Sequence, residues 1–107
     1  MLGTIMLTAL LLLSNLAFAD DLVFKIELKN RTMVPSEIIV APNTAFTIEV
    51  VNTDNTAEEF ESKSLKIEKI IPPKRTSKFN VKPLAAGEYD LFGEFHMDTC
   101  QGKIIVK

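Results

Sequence analysis

One cysteine, one histidine and no tryptophan occur among 107 residues. A lone cysteine excludes an internal disulfide, so packing alone must hold the fold. An unpaired thiol in an oxidising compartment needs a reason: a metal, a partner chain or burial. Polybasic character is also missing. The 12 Lys and Arg against 14 Asp and Glu give net −2, which argues against a nucleic-acid partner. The chain lacks repeats, linkers and low-complexity segments. It also lacks a nucleophile–base pair, a phosphate loop and a paired acid–base set, so nothing in it marks a hydrolase or a phosphoryl-transfer enzyme.

Charge is absent from residues 1–19, which contain Leu10-Leu11-Leu12-Leu13 and finish in Ala17-Phe18-Ala19. An apolar run followed by a small-x-small site reads as a secretory signal peptide, with cleavage before Asp20. The run is short for a bilayer span, and Asp20-Asp21 follows at once. No Cys stands at the cleavage point, which argues against a lipid anchor. The expectation is a signal peptide over 1–19, one domain over 20–107, and a periplasmic protein that is not membrane-embedded once processed.

The remainder reads as β almost throughout. Phe24–Lys29, Phe46–Val50 and Leu65–Ile70 alternate apolar with polar, the period-2 pattern of half-buried strands. Glu37–Val40 is β-branched and closes at Pro42-Asn43. Asn30-Arg31-Thr32 and Asn52–Thr56 are turn clusters. Lys78–Val81, Tyr89–Phe92 and Lys103–Val106 complete the set. Seven or eight short strands at regular spacing, with no convincing helix, predict an all-β sandwich.

The densest chemistry lies between the last two strands. His96, Met97 and Cys100 fall within five residues, after Gly93-Glu94-Phe95. That layout resembles the C-terminal ligand loop of the cupredoxins, with Gly93 where a blue-copper protein carries its ligand Cys. The resemblance extends along the mature chain, through Met33-Val34-Pro35, Phe46–Asn52, Glu59-Phe60-Glu61-Ser62, Ile71-Pro72-Pro73 and Gly87-Glu88-Tyr89. With Gly93-Glu94-Phe95-His96 and the Asp98-Thr99…Gln101-Gly102 tail, it is similar to the EfeO-type cupredoxin-like family. Those are exported domains that accompany iron permeases.

The resemblance implies a Greek-key cupredoxin-like sandwich in which the turn before Phe60 and the loop after Phe92 meet at one end. It implies metal-binding roles for Glu59 and His96 and a sulfur ligand at Met33. Met97 and Cys100 depart from the family pattern, and Glu61 shares a strand face with Glu59. The candidate ligands are therefore His96, Glu59, Met33, Cys100, Glu61 and Met97. A carboxylate–imidazole set suits Fe(II), Cu(II) or Zn(II), whereas added sulfur tilts it toward Cu(I). The expected cargo is a transition metal, copper or iron, in an accessory to ferrous-iron uptake. Its partner would be a membrane iron permease or a companion periplasmic iron-binding protein, and a ferroxidase-like activity is what some family contexts imply. The alternatives are a copper chaperone or storage module, and an interaction domain that has lost its metal. His96 also reads as an ordinary loop histidine, Cys100 as a small buried hydrophobe, and the glutamates as a solvated cluster.

Overall fold

The computed structural model describes residues 22–107, so the expected signal peptide lies outside the described residues. Nine strands follow in chain order: β1 (Val23–Lys29), β2 (Thr32–Val34), β3 (Glu37–Val40), β4 (Phe46–Asn52), β5 (Glu58–Ser62), β6 (Ile67–Ile71), β7 (Thr76–Val81), β8 (Gly87–Gly93) and β9 (Gln101–Val106). A single 3-10 turn, Glu94–His96, interrupts the path from β8 to β9. One sheet runs β2-β1-β4-β7 and the other β3-β9-β8-β5-β6. The strand count exceeds the expected seven or eight because Thr32–Val34 pairs with β1. A three-residue strand is too short to show a period of its own. No helix among the described residues is long and apolar enough to cross a membrane.

Each sheet mixes directions, with β1 parallel to β4 and β3 parallel to β9. The inward residues of both sheets make one core. Phe60, Ile48, Val50, Ile71 and Ile104 are fully buried within it. Phe60 stacks obliquely on Phe79, ring centroids 5.2 Å apart, which ties β5 to β7 across the sandwich. Burial of this apolar surface is the main force holding the two sheets together.

Two polar devices then aim the end of the sandwich that carries the site. Asn30 and Arg31 both have positive φ, 53° and 59°, in the two-residue turn from β1 to β2. Such a turn matches strand twist but suits Asn far better than Arg. Asp54 offsets the strain by accepting both turn amides, Asn30 N at 2.7 Å and Arg31 N at 2.9 Å. The second device is Asn52, fully buried. Its Nδ2 donates to the carbonyls of Thr56 (2.9 Å) and Ile71 (3.0 Å), and its Oδ1 accepts from Asp54 N (3.1 Å). This closes the crossover from β4 into β5 and so sets where β5 begins, at Glu58.

Candidate metal centre

Strand alternation decides which glutamates of β5 enter the protein. Phe60 points into the core, so Glu58 and Ser62 share its face while Glu59 and Glu61 lie on the opposite face of the strand. Glu58 is only 3 % exposed. Its Oε1 accepts from Phe95 N (2.9 Å) and Glu59 N (3.0 Å), and its Oε2 lies 2.6 Å from His96 Nδ1. A carboxylate oxygen is the natural acceptor here, so Nδ1–H is the donor, which leaves Nε2 turned away from Glu58. Two amides and an imidazole thus replace the water that this buried anion gives up.

The loop that carries His96 is closed on itself. Cys100 N and Thr99 N donate to His96 O at 2.8 and 3.2 Å, and Gly93 N donates to Cys100 O at 2.8 Å. Gln101 Nε2 caps Met97 O at 2.8 Å. Thr99 Oγ1 reaches across to Arg31 O at 2.5 Å, which docks the loop on the β1–β2 turn. His96 therefore sits on a braced turn, its side chain 22 % exposed.

Closure brings Cys100 back beside Gly93. A Cβ on Gly93 would lie 2.5 Å from Glu58 Cδ, 2.7 Å from Glu58 Oε2 and 2.7 Å from Cys100 Sγ. Cys100 is fully buried and free. Burial first, and then the Glu58 carboxylate, push its thiol up to about 12. It is a protonated thiol at neutral pH, and pairing with another chain would require the loop to open.

A blue-copper centre, with a thiolate and two imidazoles, does not fit these residues. The thiolate position is Gly93, the space beside it is filled, and the other side chain in place is the carboxylate of Glu58. A carboxylate–imidazole site for a divalent ion does fit, with Glu58 Oε2 and His96 as donors. Cys100 Sγ packs beside Gly93, near the Glu58 carboxylate, but it does not join Glu58 and His96 in a three-donor cluster among the described residues.

The other sequence candidates lie elsewhere. Met33 is buried in the core, its Sδ packed over Gly102. Met97 is 44 % exposed beside the equally exposed Phe95. Glu59 does not share a contact with His96, because the neighbouring Glu58 holds the inward phase. Instead Glu59 and Glu61 join Glu94, with one donor atom of each lying within 4.8 Å of the others. Glu94 first, then burial and Glu59, push the Glu61 carboxyl up to about 8, and Glu59 raises Glu68. Sequence reasoning saw Glu58 beside Glu59 before Phe60 but left it out of the ligand set, and it missed Glu94. For Glu58 a signal existed, since an inward Phe60 carries residue 58 inward with it.

Known proteins share this frame. An uncharacterized protein of Rickettsia prowazekii (strain Madrid E) is 43 % identical over 82 residues. The match covers 77 % of this chain, and the chain spans 66 % of that relative's length. Among solved structures, auracyanin A, a "blue" copper protein from Chloroflexus aurantiacus, superposes with a TM-score of 0.69 at 14 % identity, covering 82 % of this chain and all of that one. The metal-binding domain of the Streptococcus pneumoniae D39 Cu(I)-exporting P-type ATPase CopA gives 0.68 at 15 %, covering 79 % and 84 %. Amicyanin from Paracoccus versutus gives 0.60 at 18 %, covering 85 % of each chain. At these identities the likeness concerns the fold. The profile of the cupredoxin-like domain family matches residues 3–106, and the chain belongs to that family.

Proposed function

We propose that this protein is an exported carrier of a divalent transition-metal ion, held between Glu58 and His96. The observation that carries the reading is the buried Glu58 carboxylate 2.6 Å from His96 Nδ1. It lies at the end of a sandwich whose fold is shared with copper proteins. A carboxylate buried to that depth is costly without a cation or strong donors beside it. The His96 side chain is partly exposed, so it is the point at which an ion would enter and leave.

In this role the metal is cargo. Glu58 supplies a charged oxygen fixed by two backbone amides, and His96 supplies an imidazole nitrogen. A metal binds the imidazole only in its neutral form, the ring proton staying on the other nitrogen, so protonation of the ring competes with the ion and affinity falls as pH falls. The setting that fits the EfeO-type resemblance is the periplasm, beside a membrane permease for ferrous iron or its companion iron-binding protein. A second reading, copper delivery, is favoured by the sulfur of Cys100, which lies beside Gly93 near the Glu58 carboxylate. Cu(I) would need that thiol to lose its proton on binding.

Anaerobic calorimetric titration with Cu(II), Zn(II) and Fe(II) tests the proposal. His96→Ala and Glu58→Gln should each weaken the preferred ion by at least ~10-fold, since even groups one shell removed from a metal reach that size. Cys100→Ser should leave the divalent ions nearly unaffected and weaken Cu(I) if the copper reading holds. Equal binding by His96→Ala and wild type at pH 7 would remove the site. The Glu58–His96 hydrogen bond would then be a structural contact in an interaction domain.

A further inference from the structure

Glu58 and His96 stand 38 residues apart in the chain, yet one short segment holds both of them. That segment is Asn52-Thr53-Asp54, where the chain leaves β4, and each of its residues is fixed. Asn52 is fully buried. Thr53 N and Thr53 Oγ1 both donate to Leu28 O at 2.9 Å. Asp54 N donates to Asn52 Oδ1 at 3.1 Å. From this anchor one arm runs to Glu58. Asn52 Nδ2 donates to Thr56 O and to Ile71 O, and Ile71 is the register partner of Glu58.

The other arm runs to His96. The Asp54 carboxylate accepts from Asn30 N and Arg31 N. Arg31 O accepts in turn from Thr99 Oγ1, and Thr99 N and Cys100 N close on His96 O. Among the described residues, this Thr99 bond is the one hydrogen bond that ties Met97, Asp98 or Thr99 to anything outside residues 93–101. The β1–β2 turn does not keep its shape unaided. Arg31 holds a φ of 59° where a turn of this kind ordinarily carries Gly. A residue with a side chain persists in that conformation only where its surroundings enforce it. Asp54 is the enforcing group, because an ionised acceptor binds amides more strongly than a neutral one.

We propose that Asp54 is a positioning residue for the Glu58–His96 site. It holds the β1–β2 turn in the conformation that presents Arg31 O to Thr99, and so sets where the His96 loop stands relative to Glu58. Both of its carboxylate oxygens are taken by the turn amides, so it acts on a metal only through the loop. Its effect on metal affinity rests on the carrier role proposed above. Its effect on loop closure belongs to the metal-free protein and does not.

Two measurements on Asp54→Ala, Thr99→Val and the double variant provide the test. In metal-free protein, the rate at which dithionitrobenzoate labels the buried Cys100 reads loop opening. Each single variant should raise that rate about 5–10-fold, the worth of one ordinary hydrogen bond. The double variant should be no faster than the faster single one, because both cut the same connection. The second measurement is calorimetric titration with whichever of Cu(II), Zn(II) and Fe(II) the wild-type protein binds best. Each single variant should bind it about 10-fold more weakly, the lower end for groups that stand behind metal ligands. Adding Arg31→Gly to Asp54→Ala should restore both readouts, since Gly adopts the turn without help. Adding it to Thr99→Val should restore neither, a pattern that a general loss of stability does not produce. If Asp54→Ala does not fold, Asp54→Asn, which leaves one acceptor for the turn, takes its place throughout. Effects that multiply in the double variant, wild-type metal affinity in the single variants, or rescue of Thr99→Val by Arg31→Gly each overturn the proposal. Binding unchanged in His96→Ala overturns the carrier role and the positioning role with it, while the labelling rates still show separately whether Asp54 closes the loop.

Discussion

Cys100 and Gly93 share one space: the thiol sulfur of the first lies 2.7 Å from where a Cβ on the second would stand. A sulfur from the far end of the loop thus fills the space beside Glu58, while position 93 is kept bare.

Gly93→Ala should therefore destabilise the protein by about 2–3 kcal/mol, the upper range for overpacking a rigid core site. Its Cβ would meet Glu58 Cδ at 2.5 Å, and Glu58 is held by two amides and an imidazole. Pairing it with Cys100→Ala should recover only part of the loss, because the clash with Glu58 remains. Chemical denaturation of the three variants checks this. A Gly93→Ala protein as stable as wild type would show that Glu58 moves freely.

Adding Cu(II) to the wild-type protein should give no intense band near 600 nm. Such a band requires a thiolate bound to copper, and Cys100 is a buried thiol pushed up to about 12. Absorption spectroscopy at neutral pH decides it. A strong blue colour would mean that Cys100 deprotonates and binds.

Cys100 should also resist thiol reagents while the protein is folded. At pH 8 a fully buried thiol with that proton affinity has almost no reactive thiolate. Labelling should proceed at the rate of opening, and rise steeply in denaturant. Rapid labelling of native protein would show a loop far more mobile than its hydrogen bonds imply.

Asp90 supplies a pH dependence with a definite sign. Burial alone would raise its carboxyl, but hydrogen bonds from Ser64 (N at 2.9 Å, Oγ at 2.5 Å) and Lys63 N (2.9 Å) win, and it falls to about 2. Folding therefore favours the ionised form. The stability it contributes is present above its ordinary value near 3.8 and is lost as pH falls through about 2. Asp90→Asn should lower stability at pH 6 and matter progressively less toward pH 2. Thermal melts of both proteins across that range give the comparison, and an equal penalty at pH 6 and pH 2 would contradict it.

The alternation of Phe46–Asn52 and the inward phase of Phe60 are local properties, and the strand set and sandwich follow from them. A side chain's face depends only on its parity along a strand, and burial rewards one parity. The same rule made Glu58 legible, although the family pattern drew attention to Glu59. Periodicity does not show Thr32–Val34, because three residues carry no period; only the family resemblance put a strand near Met33-Val34-Pro35, and its pairing depends on the Asn30-Arg31 turn held by Asp54. Glu94 joins Glu59 and Glu61 only through the register of β8 on β5. Cys100 reaches Gly93 only because the loop closes on His96 O. Composition and periodicity determined the class of fold, the inward face of each strand and the loop where the chemistry lies. Tertiary structure alone decided which carboxylate meets the imidazole and which three meet one another. Those contacts join residues far apart in the chain, and their geometry is set by sheet register and crossover hydrogen bonds that no local pattern encodes.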